Sequence, residues 1–85
     1  MPEIANVDFI SSFKMWSLDR TLSVERIGEM LPNVRDQGTS ADGKCTHTWD
    51  FTVDGAECSI WDYKGLRWSA YGPEAALRSI GFDPY

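Results

Sequence analysis

Residues Cys45 to Val53 alternate strictly in polarity and run directly into Asp54-Gly55, and no other stretch of the chain restricts its fold so tightly. Cys45, His47, Trp49, Phe51 and Val53 share one side and Thr46, Thr48, Asp50 and Thr52 the other, the period of a half-buried strand. Asp-Gly tolerates positive φ at both central positions of a type I′ turn, which predicts a two-residue loop onto a second strand, Ala56 to Tyr63. The register follows. Val53 faces Ala56, Phe51 faces Cys58, Trp49 faces Ile60 and His47 faces Asp62. Lys64-Gly65 then opens a second turn, and Arg67-Trp68-Ser69-Ala70-Tyr71 reads as a third strand.

Three antiparallel strands are stable only with their apolar face covered, and two helices are available to cover it. Ser23 is a good N-cap, Leu22 and Ile27 stand at the hydrophobic-staple positions, and Val24, Ile27, Met30 and Leu31 form a stripe that Pro32 ends. Further on, Pro73 suits a first helical position, Ala76, Leu77 and Ile80 make an inner face, and Gly81 is a stop signal. The first twenty residues are ambiguous: Phe9, Phe13 and Met15 suit a strand, whereas Ile10, Phe13 and Trp16 would line a helix, and the strand is the preferred reading. Asn33 to Lys44, with Asp36, Gly38, Asp42 and Gly43, read as a polar loop. The expected architecture is a single α+β domain over residues 1–85, a small three- or four-stranded antiparallel sheet packed with helices at about 23–31 and 73–80.

Thirteen acidic against eight basic residues give a net charge of −5, which speaks against duplex DNA or an anionic membrane as partner. No run of 18 apolar residues and no leader pattern occur, so a soluble, cytoplasmic protein is expected. Cys45 and Cys58 are too few for a disulfide scaffold and, in the register above, too far apart to bond, so reduced thiols are expected. A chain of 85 residues has a small core, and with aromatic side chains on both sheet faces a homo-oligomer is expected.

Aromatic residues concentrate between Trp49 and Tyr71, and strand parity turns Trp61 and Tyr63 toward the face that carries Thr48, Asp50, Thr52 and Ser59. Such aromatics serve as core beneath a second helix, as a subunit interface, or as a stacking surface for a planar ligand whose phosphates meet Lys44, Lys64 and Arg67. His47, opposite Asp62 and near Cys45, offers a catalytic constellation on paper, but a cross-strand hydrogen-bonded pair is the simpler reading and no enzymatic activity is expected. One histidine and two scattered cysteines do not make a zinc site, no glycine-rich phosphate loop is present, and no cofactor is expected. Asp36, Asp42, Asp50, Asp54, Asp62 and Asp83 read as solvated surface charge rather than as a phosphate-mimicking surface.

The segments Trp49-Asp50-Phe51, Asp54-Gly55, Ile60-Trp61-Asp62-Tyr63-Lys64 and Trp68-Ser69-Ala70-Tyr71-Gly72 resemble a class of small phage-encoded proteins with a W-x-F-x-x-D-G hairpin, an I-x-D-Y-K strand and a later W-x-x-x-G. The connection Lys64 to Arg67 is shorter here than the charged insert common in that class. The resemblance implies a phage origin, a cytoplasmic role in an infected bacterial host, and host takeover or evasion of immunity. It brings no functional residues with it. Together with the aromatic and basic residues, it leads to the expectation of a non-catalytic anti-defence sponge for a small anionic nucleotide-derived signal. Trp61, Tyr63 and Trp68 would stack on that ligand and Lys64 and Arg67 would neutralise its phosphate. The alternative is an inhibitor that covers a host or defence protein with the same surface.

Overall fold

A computed structural model describes residues 2–8, 10, 12–41, 43–65 and 67–85. The chain order is β1 (Ile4–Asn6), β2 (Trp16–Ser17), α1 (Val24–Met30), β3 (Thr48–Val53), β4 (Ala56–Tyr63), β5 (Arg67–Tyr71) and α2 (Glu74–Ser79). The strands form one antiparallel sheet in the order β1-β3-β4-β5-β2. It has five strands, where three or four were expected, because the first twenty residues contribute a short strand to each edge. Among the described residues of 9–18, where a strand was expected, Trp16 and Ser17 join a ladder as a named element, and Phe9 and Asp42 lie outside the described residues.

Asp54 and Gly55 have φ of 51° and 85°, the two positive values that a type I′ turn requires. The β3–β4 register is the expected one: Val53 pairs with Ala56, Phe51 with Cys58 and Trp49 with Ile60. Strand β3 begins at Thr48 rather than Cys45. The Asp62 carboxylate accepts the backbone N–H groups of Thr46 (2.9 Å) and His47 (2.7 Å), taking donors that a longer ladder would have used.

Both helices lie on one side of the sheet. Ile27 and Leu31 from the α1 region and Leu77 and Phe82 from the α2 region share a core with Trp49, Phe51, Val53, Cys58, Ile60, Trp68 and Ala70. Ser23 caps α1 by accepting the Arg26 N–H at 3.0 Å. Helix α2 starts at Glu74, with Pro73 one position earlier than expected, as the N-cap in extended backbone. It ends as Gly81 at φ 103° lets the N–H groups of Gly81 and Phe82 reach the carbonyls of Arg78 and Leu77, a Schellman closure. Burying Phe82 is the accompanying apolar contact.

The second sheet face is covered differently from what helix-on-each-face packing would give. The chain leaves edge strand β1, crosses this face by way of Val7, Asp8, Ile10 and residues 12–15, and enters edge strand β2 on the far side. This crossing is pinned where Val7 donates to the Asp50 carbonyl, Ile10 to the Asp50 carboxylate and Met15 to the Ala70 carbonyl. Cover therefore comes from within the chain.

Candidate functional site

The crossed face is polar at its centre. Asp50 is 3% exposed, and its carboxylate accepts the Ser59 hydroxyl on Oδ1 and both the Ile10 N–H and the Gln37 side-chain amide (3.1 Å each) on Oδ2. Gln37 also donates to the Val7 carbonyl. One carboxylate thus ties together β4, the crossing segment and the loop before β3, and no buried side-chain polar atom among the described residues is left without a partner.

Two cavities open on this face, and Trp61 lines both. One, of about 430 Å³, is bounded by the cross-strand pairs Trp61–Ser69 and Tyr63–Arg67 and by Lys14 of the crossing segment. The other, of about 390 Å³, lies over Thr48–Trp61 and Asp50–Ser59, between Ile10 and Ser12 on one side and residues 37–41 with Cys45 on the other. Lys64 adds its ammonium group 5.4 Å from the Tyr63 ring centroid.

Cations gather at this end of the sheet. Arg26, Arg35 and Arg78 each form an ion pair elsewhere, whereas Lys14, Arg20, Lys64 and Arg67 make none among the described residues. Arg67 connects three hollows: the cavity with Lys14 and Trp61, one of about 560 Å³ with Arg20, Ser17 and Tyr85, and one of about 340 Å³ with Arg20, Ser23 and His47. Among the described residues no carboxylate lines the Lys14–Arg67 cavity. Its character is thus aromatic and positive in a chain of net charge −5.

Comparison with protein-family models, curated proteins and solved structures found no match to this chain.

Of the residues expected to form the site, Trp61, Tyr63 and Arg67 line the same cavity, and Lys64 stands beside Tyr63. Trp68 does not join them. It pairs with Asp62 in β4, so its side chain lies on the helix-covered face, where it is 8% exposed, packs 5.8 Å from Trp49 between ring centroids, and donates its indole N–H to the Leu22 carbonyl at 2.7 Å. Strand parity decides this: residues of odd number in β4 and β5 face the crossing segment, and Trp68 is even. Lys14 and Arg20 were not singled out from sequence. Lys14 enters the cavity only because the segment between β1 and β2 crosses the sheet, and its one sequence signal is its place between Phe13 and Met15, both exposed.

The His47 constellation is also rearranged. The His47 carbonyl accepts the Asp62 N–H and the His47 N–H donates to the Asp62 carboxylate, but the imidazole Nδ1 lies 2.6 Å from Asp36 Oδ2. Asp36 also accepts the N–H groups of Gly38 and Thr48, and it bridges to Trp49, so this group fixes the loop against β3. Burial alone would raise the Asp36 carboxyl, but hydrogen bonds from His47, Gly38 and Thr48 outweigh it and hold the group below the usual carboxylate range. Asp62 behaves alike, with burial opposed by the Thr46 hydroxyl and the backbone of His47 and Thr46. Asp50 and Asp62 are buried and hydrogen-bonded, which corrects the reading of these carboxylates as solvated surface charge. Cys58 is a buried thiol, and burial pushes it up to about 11, so it is un-ionised at neutral pH.

Proposed function

We propose that this chain is a non-catalytic binding protein that takes a small, planar, anionic molecule of the nucleotide type in the cavity bounded by Lys14, Trp61, Tyr63, Arg67 and Ser69. The observation that carries this reading is the segregation of cations. Arg26, Arg35 and Arg78 are ion-paired away from the cavity, while Lys14 and Arg67 line it unpaired beside Trp61 and Tyr63, with Lys64 over the Tyr63 ring and no carboxylate among the described lining residues. Aromatic faces favour a base, and unpaired ammonium and guanidinium groups favour phosphate. In the setting implied by the resemblance to small phage proteins, the function is sequestration of a nucleotide-derived immune signal in the host cytoplasm. No cofactor and no metal enter this reading.

Calorimetric titration with cyclic dinucleotides, cyclic mononucleotides and ADP-ribose derivatives tests it. A charge-assisted phosphate contact is worth roughly 1.5–3 kcal/mol, so Arg67→Ala should weaken binding by about tenfold or more with an unchanged melting temperature. Wild-type protein that binds no member of the panel below about 100 μM would remove the ligand reading.

A second reading, an inhibitor that covers a host or defence protein, is favoured by the exposed apolar residues Phe13 and Met15, which flank the cavity residue Lys14 in sequence, and Tyr63, which lines the cavity. This rim also supports self-association into a homo-oligomer. A sponge releases an intact small molecule on heat denaturation, whereas an inhibitor co-purifies with a protein.

A further inference from the structure

The two cavities on the crossed face are neighbours. Their floors are adjacent strand pairs, β4–β5 for one and β3–β4 for the other, and strands in a sheet lie only about 4.8 Å apart. Trp61 is their common wall, and its indole N–H donates to no group among the described residues, unlike those of Trp16 and Trp68.

Their chemistry differs. The first is cationic and aromatic. Among the described residues the second has no Lys, Arg or His in its lining, and its polar groups include hydroxyls and an amide from Ser12, Thr39, Thr48, Ser59 and Gln37 around the buried Asp50 carboxylate. Asp50 Oδ1 accepts a single hydrogen bond among the described residues, from Ser59, and so retains acceptor capacity. A second phosphate would meet that carboxylate unfavourably, whereas a neutral ring bearing hydroxyl or N–H donors would find acceptors and donors alike.

We infer that the ligand has two parts: a planar anionic nucleotide moiety between Tyr63, Lys14 and Arg67, joined across Trp61 to an uncharged, hydroxyl-bearing ring that enters the cavity over Thr48, Asp50 and Ser59. This rests on the binding reading above and specifies it, since a mononucleotide fills only one of the two cavities. The volumes agree with that division, each cavity being at the lower end of the range for small-molecule sites.

The test compares AMP with ADP-ribose, which adds a second phosphate and a ribose, by calorimetric titration of the full chain. Wild-type protein should bind ADP-ribose at least about tenfold more tightly than AMP, the gain expected of one or two net hydrogen bonds. Ala41→Phe narrows the second cavity from its exposed rim and should reduce the ratio of the two affinities to about one. Thr48→Val removes a lining hydroxyl at nearly constant volume and should lower the ratio by a smaller factor, providing an independent check if the larger side chain disturbs folding. AMP binding with no preference for ADP-ribose overturns the two-part ligand and leaves the nucleotide site standing. A preference that survives in both variants also overturns it, because the extra affinity then comes from the added phosphate. Failure of both probes to bind wild-type protein defeats the nucleotide site, and with it the two-part ligand.

Discussion

Trp61 and Trp68 belong to one aromatic run in the sequence, yet their side chains stand on opposite faces, which makes them a sharp pair of perturbations. Trp68→Phe removes the indole N–H bonded to the Leu22 carbonyl, worth roughly 0.5–1.5 kcal/mol. It also leaves a void where the larger ring packed against Trp49, worth roughly another 1 kcal/mol. The sum, about 2 kcal/mol, corresponds in a domain of this size to a melting temperature lower by about 8–16 °C. Trp61→Phe breaks no hydrogen bond and acts on a half-buried ring at the edge of open space, so about 0.5 kcal/mol and a shift of about 4 °C or less are expected. Binding should rank the two positions in reverse: Trp61→Ala loses a stacking partner and about tenfold or more in nucleotide affinity, while Trp68→Phe, held well below its midpoint, keeps wild-type affinity. Calorimetric melting and titration on the same preparations measure both. Equal loss of stability at the two positions, or equal loss of affinity, would refute the face assignment and with it the composition of the site.

Gly72→Ala should be severely destabilising, because a Cβ there would lie 2.7 Å from Cys58 Sγ and 2.9 Å from the Glu57 carbonyl at a φ of 128°; urea titration should show a lower midpoint with an unchanged slope. Cross-strand NOEs should link Trp49 with Ile60 and Ser59 with Tyr71, and any shift by one residue would exchange the two faces. Light scattering at micromolar concentration should give at least twice the 9.6 kDa chain mass if the Phe13, Met15 and Tyr63 rim mediates self-association, and a monomer at all concentrations would leave that rim to a ligand or partner. Asp36 and Asp62 titrate below their unfolded value of about 3.9, so their contribution is complete above that pH and is lost as pH falls through the lower, folded values. Asp62→Asn should therefore lower the melting temperature at pH 7, with a gap that shrinks as pH falls below the unfolded value; a pH-independent gap would remove the charge from the account.

The central hairpin, its register and the starts of both helices were legible because each is written locally, in Asp54-Gly55, in strict alternation and in Ser23 and Pro73. The edge strands were not, since three residues in β1 and two in β2 carry no period of their own and are held by distant ladders to β3 and β5. The same distance hid the role of Asp50. A lone aspartate in an alternating strand reads as solvent-facing, and only chain crossing supplies Ile10 and Gln37 as its donors. Trp61, Tyr63 and Arg67 could be grouped from strand parity, and Trp68 could have been set apart by the same rule. Lys14 could not be placed without the path of the segment between β1 and β2.

That path bears on how the site is held. A buried carboxylate is an expensive way to cover a sheet face, and an apolar replacement of similar volume is often as stable. What Asp50 supplies instead is position: three donors from three separate segments converge on it, which sets where the crossing segment and residues 37–41 lie above the sheet. Those two segments are walls of the cavities on either side of Trp61. Cavity shape and fold stability therefore depend on one carboxylate, and changing Asp50 would lower both together. Lys14, Ala41 and Arg67 are exposed and carry none of that network, so they are the positions at which the proposed recognition can be tested while the fold is left in place.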